Sequence, residues 1–216
     1  KQMRALLSAR HVCRISGARM FRKKGAFMAH TPLMTSLGAD SSLVRKVAMV
    51  AFGSVLVAMS AQISVPMFPV PMTLQTLAIM LIGLTYGARL AGATLVAYLA
   101  QGAMGFPVFA GGAAGLAPLM GPTAGFLFGF VAMAFVMGWL VERGFDRGFG
   151  LFGAALIATA LLFVPGIAWL TAVTPLNLQG AFMAGAAPFL LGELVKVAVA
   201  ALIVSGAFKA LKDRVT

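Results

Sequence analysis

The chain has 216 residues, of which 61% are hydrophobic and only 10% are charged, and its formal net charge is +12. Soluble globular domains carry about 25% charged residues, so this composition excludes that class and indicates an integral membrane protein. The apolar runs are continuous and rich in Ala, Leu, Gly and Met, which favours helices as the membrane-spanning elements.

The positive charge is concentrated at the start of the chain. Eight of the 17 basic residues fall within residues 1–24, and without them the positive excess is only about four. This placement argues against nucleic acid as a partner and favours a cytoplasmic arm beside anionic membrane lipid. We expect residues 1–40 to be a basic N-terminal arm, either disordered or an extension upstream of the true start, and residues 41–216 to form a membrane domain.

Six apolar segments follow the arm, and the second and third are short for a span of about 20 residues. They cover residues 43–63, 70–85, 89–104, 123–141, 151–173 and 186–207. With six spans, the loops on one side contain no Lys or Arg and the other side holds nearly all of the basic residues, as the positive-inside rule requires. We therefore predict an all-α integral membrane protein with six transmembrane helices and both termini cytoplasmic.

The sixth segment carries two charged residues within an apolar run. Glu193 and Lys196 are three residues apart and share one helix face, and a start near residue 186 puts Glu193 about two turns into the span. A charged side chain at the centre of a membrane helix costs roughly 2.5–3.5 kcal/mol on insertion scales, so both should face the bundle interior. The pair is either part of a ligand site, which intramembrane charges favour, or a neutral pair that holds helices together.

Polar residues of the second and third segments are expected near this pair. Thr73 and Gln75 lie close to the outer end of the second span, in the outer half of the bundle. They either contribute to the same site or hydrogen-bond between helices. The hydroxyl of Tyr98, within the third span, needs a partner that is either a ligand or a neighbouring helix.

The loop between the third and fourth segments, "QGAMGFPVFAGGAAGLAPLMGPTAG", is rich in glycine. It lacks the ending and the basic residue of a phosphate-binding loop. We expect either a compact loop folded over a small molecule or a connector that packs on the bundle. In the first case Phe109 is a lid side chain, and Gly111 and Gly112 permit close approach of the backbone.

The sequence predicts no metal, no cofactor and no enzymatic activity for this chain. No Cys/His cluster suggests a metal site, and no nucleophile accompanies a base and an orienting group. No Walker motif is present, so any ATP hydrolysis belongs to another protein.

The segments "PMTLQT", "ARLAGATLVAY", "GFPVFAGG", "GPTAGF" and "PFLLGELVK" together resemble the BioY family, and the resemblance covers about residues 43–211. BioY proteins are the biotin-binding S components of energy-coupling factor (ECF) transporters. The resemblance implies an S-component-like bundle that takes up biotin with high affinity across the bacterial cytoplasmic (inner) membrane. It also implies a transmembrane coupling protein and two cytosolic ATPases as partners. The alternatives are an S component for a different vitamin and a ligand-free membrane scaffold subunit.

With biotin as the ligand, we expect the binding residues to be Glu193, Lys196, Gln75, Thr73, Tyr98, Phe109, Gly111 and Gly112. Glu193 stands where the family usually has Asp, and its carboxylate can accept hydrogen bonds from the ureido N–H groups of biotin. Gln75 or loop N–H groups can donate to the ureido oxygen. Lys196 matches the family motif and either holds Glu193 ionised or meets the carboxylate of the biotin tail. The i,i+3 spacing favours the first role.

If a coupling protein docks on the first span, that span should carry a face of small residues. Ala48, Ala51, Ser54 and Ala58 give that span a face of small residues, which would let another helix approach closely. Ordinary packing of small residues in a membrane helix is an equally good account of them.

Overall fold

The structure is a computed structural model that describes the backbone of residues 42–215 and the side chains of residues 42–210. The predicted basic arm of residues 1–40 therefore lies outside the described residues. The described chain is mostly helical, which confirms the predicted class. Its helices are α1 (Leu43–Gln62), α2 (Gln75–Tyr86), α3 (Ala88–Ala103), α4 (Ala117–Met120), α5 (Ala124–Glu142), α6 (Phe149–Val173), α7 (Leu178–Gly185) and α8 (Leu190–Val215).

Four helices of the described region are long and apolar enough to cross a membrane: α1, α5, α6 and the Leu190–Ala210 part of α8. They coincide with the first, fourth, fifth and sixth predicted spans. The second and third predicted spans are also helices, α2 and α3, but these have 12 and 16 residues. Both are shorter than the ~20 residues of a simple transmembrane helix.

Two predicted helix starts were wrong, and both errors concern the site described below. The second helix begins at Gln75, not near residue 70, because the chain before it is extended. Strands β1 (Ser64–Val65) and β2 (Met72–Thr73) pair there as an antiparallel hairpin, and Pro71 lacks the N–H that a helix interior needs. The last helix begins at Leu190, not near residue 186, so Glu193 lies in its first turn rather than two turns in.

The loop before α8 contains α7, which the sequence did not reveal as a helix. Asn177 caps it, because its Oδ1 accepts a hydrogen bond of 2.8 Å from the N–H of Gly180. Asparagine is among the preferred residues for this position. The glycine-rich loop is also ordered into a 3₁₀ turn at Ala110–Gly112 and the short helix α4.

Helix α5 lies at the centre of the bundle and α1 lies at its edge. In its most apolar 18-residue window, 67% of α5 is buried, against 22% of α1. Glycines let α5 approach its neighbours closely: a Cβ at Gly138 would lie 2.4 Å from the backbone N of Ala88 in the α2–α3 turn. The core therefore forms around α5, with α2, α3 and α6 against it.

The bundle has two chemically distinct ends. One end, here called the loop end, contains the hairpin, the glycine-rich loop, α7 and the start of α8. The opposite end, here called the basic end, contains the start of α1, the α2–α3 turn, the α5–α6 turn and the end of α8. Its exposed basic side chains within the described region are Arg45, Arg89, Arg143, Arg147 and Lys209.

Candidate functional site

Lys196 ties three segments of the chain together at the loop end. Its Nζ donates hydrogen bonds to Oε1 of Glu193 at 2.8 Å, to Oγ1 of Thr76 at 2.9 Å and to the carbonyl oxygen of Thr73 at 2.7 Å. These acceptors belong to α8, α2 and the hairpin. An ammonium group has three N–H donors, so all of its donor capacity is engaged within the protein. We call these four residues the cavity cluster.

The two carboxylate oxygens of Glu193 have different surroundings. The residue is only 6% exposed, and its Oε1 accepts a second hydrogen bond, at 2.7 Å, from Oγ1 of Thr76. Its Oε2 is buried and has no hydrogen-bond partner among the described residues. Buried polar atoms are almost always paired, so Oε2 marks a place for a donor that the described residues do not supply.

The position of Glu193 in the first turn of α8 favours a negative charge there. The unpaired N–H groups at a helix N-terminus carry partial positive charge, which stabilises a nearby carboxylate. The N-terminus of α8 thus stabilises the Glu193 carboxylate electrostatically, in addition to the ammonium group of Lys196.

A cavity opens beside the carboxylate and contains about 380 Å³ of empty space, including its mouth. Its lining comes from the hairpin, α2, α5, α6 and the α7–α8 region: Val70, Pro71, Thr73, Thr76, Phe126, Phe130, Leu162, Phe163, Gly185, Phe189 and Glu193. Four phenylalanines form much of the apolar wall, and Glu193 with the two threonines forms a polar end. Small-molecule sites typically combine such apolar walls with a few placed polar groups.

A second polar cluster lies next to the first and is fully paired. Gln75 accepts a hydrogen bond of 3.1 Å from Oγ1 of Thr73 and donates one of 2.7 Å to the hydroxyl of Tyr98. The Tyr98 hydroxyl in turn donates to the carbonyl oxygen of Val108 at 3.0 Å. This series of hydrogen bonds joins the hairpin to the glycine-rich loop across α2 and α3. Its members Thr73, Gln75, Tyr98 and Val108 are here called the packed cluster.

Gln75 is therefore near the charged pair without touching it. Its described hydrogen bonds go to Thr73 and Tyr98, and the link to Lys196 runs through Thr73. The structure brings Thr73, Glu193 and Lys196 together, while Gln75 and Tyr98 belong to the neighbouring cluster.

Phe109 is packed beneath the glycine-rich loop and does not line the cavity. It is 2% exposed, and its ring meets that of Tyr98 edge-on with 5.6 Å between centroids. The ring fills a notch at Gly102, where a Cβ would lie 2.1 Å from Cζ of Phe109. Gly111 and Gly112 are exposed and adopt φ of 68° and 74°, which suits glycine, and a Cβ added at either would meet nothing within 4 Å. They lie outside the cavity lining.

The sequence missed two contributors to the cavity. Thr76 bonds both members of the charged pair, and the threonines of "PMTLQT" at i,i+3 could have indicated it, because residues at that spacing neighbour each other at a helix start. The phenylalanine wall gave no comparable signal, since its members are scattered over three segments of an aromatic-rich chain.

A helical membrane bundle with a buried carboxylate, half of it unpaired among the described residues, beside an apolar cavity has the features of a membrane protein with a small-molecule site. The profile of the BioY family matches residues 28–213, so the chain belongs to the BioY family. A biotin transporter BioY from Rhizobium etli is 38% identical over 162 residues, covering 70% of this chain and 86% of the relative. A probable biotin transporter BioY from Pyrococcus horikoshii is 35% identical over 159 residues, covering 74% and 93%.

A solved structure shares this fold. The S-component for biotin from an ECF-type ABC transporter superposes with a TM-score of 0.69 at 24% identity, over 77% of this chain and 92% of that one. Together with the family and the four long apolar helices, this makes the chain a multi-pass membrane protein.

Proposed function

We propose that this chain takes up biotin as the substrate-binding S component of an ECF transporter in a bacterial cytoplasmic membrane. Its membership of the BioY family and the biotin transporters among its relatives support this function. The single observation in the structure that carries it is the unpaired Oε2 of Glu193 at the polar end of the cavity.

The chemistry of biotin suits this arrangement. Its ureido ring presents two N–H donors, and a carboxylate oxygen without a partner is the acceptor that such a donor needs. A hydrogen bond to an ionised acceptor is worth about 1.5–3 kcal/mol, roughly twice a neutral one. The apolar thioether ring and tail match the phenylalanine walls.

Lys196 acts in this proposal through Glu193 rather than on the ligand. Its three donors already bond protein acceptors. It therefore neutralises the buried carboxylate and fixes Oε1, which leaves Oε2 directed at the ligand. Gln75 and Tyr98 position the hairpin and the glycine-rich loop around the site.

The proposed topology has six spans, with α2 and α3 completing the bundle alongside the four long helices. The basic end then faces the cytoplasm, as the positive-inside rule requires, and both termini are cytoplasmic. The loop end with the cavity faces outward, where the vitamin arrives. The chain itself catalyses no reaction.

The proposed partners are a transmembrane coupling protein and two cytosolic ATPases, with α1 as the helix that the coupling protein meets. The face of α1 differs from the predicted one at Ser54. That side chain is fully buried and accepts a hydrogen bond of 3.0 Å from Nε2 of Gln101 in α3. A docking face on α1 would use the exposed Ala48, Ala51 and Phe52 instead.

The test is binding of labelled biotin to the purified full chain, with thiamine, riboflavin and pantothenate as competitors. Saturable binding at micromolar biotin or below, displaced by biotin alone, is expected. Displacement by another of these vitamins would instead assign the chain to a different substrate. A folded protein that binds none of them, and whose Glu193→Ala variant keeps its membrane partners, would be a scaffold.

A further inference from the structure

The surface between α3 and α5 carries an open apolar groove, whose lining shares no residue with that of the cavity. It is lined by Arg89, Gly92, Ala93, Val96, Phe128, Val131, Ala132, Phe135 and Val136 and contains about 970 Å³ of space open to the surroundings. Gly92 and Ala93 form a low floor on α3, because small side chains leave the helix surface free. Val96, Phe128 and Phe135 are exposed and form higher walls.

Two arginines stand where this groove reaches the basic end. Arg89 lines the groove itself. Arg143 lies at the end of α5, with its guanidinium carbon 4.4 Å from the ring centroid of Trp139. Trp139 is 40% exposed and lies one turn beyond Phe135 on the same helix. Toward the basic end, the apolar groove is therefore followed by the Trp139 ring and then by the guanidinium of Arg143.

The helix ends bring these two cations into one neighbourhood. Glu142, the residue before Arg143, accepts a hydrogen bond of 3.0 Å through Oε1 from the backbone N of Ala88, the residue before Arg89. One acidic group therefore lies at the N-terminus of α3, and two arginines lie around it. Two arginines against one carboxylate give a positive excess, and the combination of Trp and Arg side chains is typical of the level of lipid headgroups.

The length of the groove matches one leaflet of a bilayer. From Phe128 to Trp139 is eleven residues of helix, or about 16 Å at ~1.5 Å per residue. Half of a ~30 Å hydrocarbon core is about 15 Å. An acyl chain that starts at the headgroup level beside Arg143 would thus end near Phe128.

We propose that this groove is a binding site for an anionic phospholipid, with one acyl chain between α3 and α5 and the phosphate on Arg89 and Arg143. Basic pockets between transmembrane helices on the cytoplasmic side are suited to such headgroups. Charge complementarity sets the choice of occupant, because a zwitterionic lipid would fill the apolar groove equally well but gain less from the two arginines.

Quenching of Trp139 fluorescence by brominated lipids tests this site directly. The chain has two tryptophans, so a Trp169→Phe background leaves Trp139 as the reporter. This protein is reconstituted in bilayers of phosphatidylglycerol and phosphatidylcholine, with one or the other brominated. A basic side chain near an anionic surface contributes on the order of a five-fold preference. Stronger quenching by brominated phosphatidylglycerol is expected, with a relative preference of about thirty-fold.

The double variant that combines Arg89→Gln and Arg143→Gln should lose the preference for phosphatidylglycerol over phosphatidylcholine. Arg147→Gln is the matched control, because its side chain is 74% exposed at the same end and pairs with Asp146 outside the groove. It should retain the preference. Equal quenching by both lipids in the starting protein, or an equal loss in the Arg147→Gln control, would overturn the proposal. Thermal unfolding in detergent verifies that each variant is folded.

Ala93→Phe tests the groove without changing charge. The larger side chain should fill the floor and reduce quenching by phosphatidylglycerol while leaving the protein monomeric or in its original oligomeric state. If it instead changes the oligomeric state and leaves the lipid preference intact, the groove holds a second copy of the chain and the lipid site is refuted.

Discussion

Two polar clusters lie side by side at the loop end and share Thr73, but they differ in how completely their buried polar atoms are hydrogen-bonded. In the packed cluster, Gln75 and Tyr98 pass hydrogen bonds from the hairpin to the glycine-rich loop. In the cavity cluster, one oxygen of Glu193 is buried without a partner in the part of the chain that the structure describes. An unpaired buried polar atom costs about 1–3 kcal/mol. A ligand that donates to this oxygen would recover the cost, so the contrast supports a role in the fold for the packed cluster and the proposed role in binding for the cavity cluster.

Among the substitutions in the two clusters, Lys196→Met should have the largest effect, which is a loss of folding stability. It removes the donor of three hydrogen bonds and leaves Glu193 as a buried charge without its partner, which typically costs about 3–5 kcal/mol of folding stability. Thermal unfolding of the detergent-solubilised variant measures the loss. Residual binding should weaken by the same factor for biotin and for biotin amide, which lacks the tail carboxylate. A weaker affinity for biotin alone would mean that Lys196 contacts the tail.

Glu193→Gln should weaken biotin binding by about 100-fold, within the 1.5–3 kcal/mol range of a charge-assisted hydrogen bond. Lys196 and Thr76 both donate to Oε1 of Glu193. In the glutamine variant they should bond the amide oxygen, which leaves the amide NH₂ group directed at the cavity. A donor then faces the donors of the ureido ring. A titration with labelled biotin measures the effect.

Glu142→Gln is the matched control for that change. It makes the same substitution at the basic end, where the side chain accepts from Ala88 far from the cavity. Its biotin affinity should equal that of the wild type. Equal losses in both variants would remove the special role assigned to Glu193.

Gly102→Ala tests the packing around the packed cluster through the melting temperature. The new Cβ would lie 2.1 Å from Phe109, so the ring must leave its notch, at a cost of roughly 1–3 kcal/mol for overpacking. Gly92→Ala is the control, because its Cβ would make ordinary contact at 3.5 Å with Phe135. The melting temperature should fall only in the first variant. A similar fall in both would show that Phe109 does not depend on the notch.

Tyr98→Phe should have the smallest effect of the four. It removes a hydroxyl that accepts from Gln75 and donates to Val108, at a cost of about 1 kcal/mol. That corresponds to a fall in melting temperature of about 2–4 °C for a domain of this size. Biotin affinity should be unchanged. A loss of affinity comparable to that of Glu193→Gln would place Tyr98 in the binding site.

The sequence predicted the helical class and the charged pair well because both depend on composition and periodicity. A run of apolar residues is a membrane helix almost regardless of context, and a charge within it must point inward. The start of α2 was misplaced because Pro71 and the pairing of Met72 with Val65 keep the chain extended, and strand pairing is a contact between distant residues.

The site was predicted less completely for the same reason. Lys196 bonds Glu193 and the backbone of Thr73, whereas Gln75, which we expected to meet the charged pair, bonds Thr73 and Tyr98 instead. From the sequence alone, Phe109 and Gln75 are also candidates equal to Glu193. Their different roles follow from pairing: Gln75 is satisfied by Tyr98, and Phe109 fills the space above Gly102. Neither partner is a sequence neighbour, so local pattern could not separate a packed side chain from one that faces a cavity.

The bond from Lys196 to Thr73 joins residues that are 123 positions apart, and this has a consequence for biosynthesis. The other described helices and strands precede α8, so a chain still emerging from the ribosome contains the hairpin and Thr76 before it contains the ammonium of Lys196 or the carboxylate of Glu193. The polar end of the cavity therefore forms only when the last helix enters the bundle. Under the proposed function, a chain truncated before α8 would lack the carboxylate that accepts from the ureido ring.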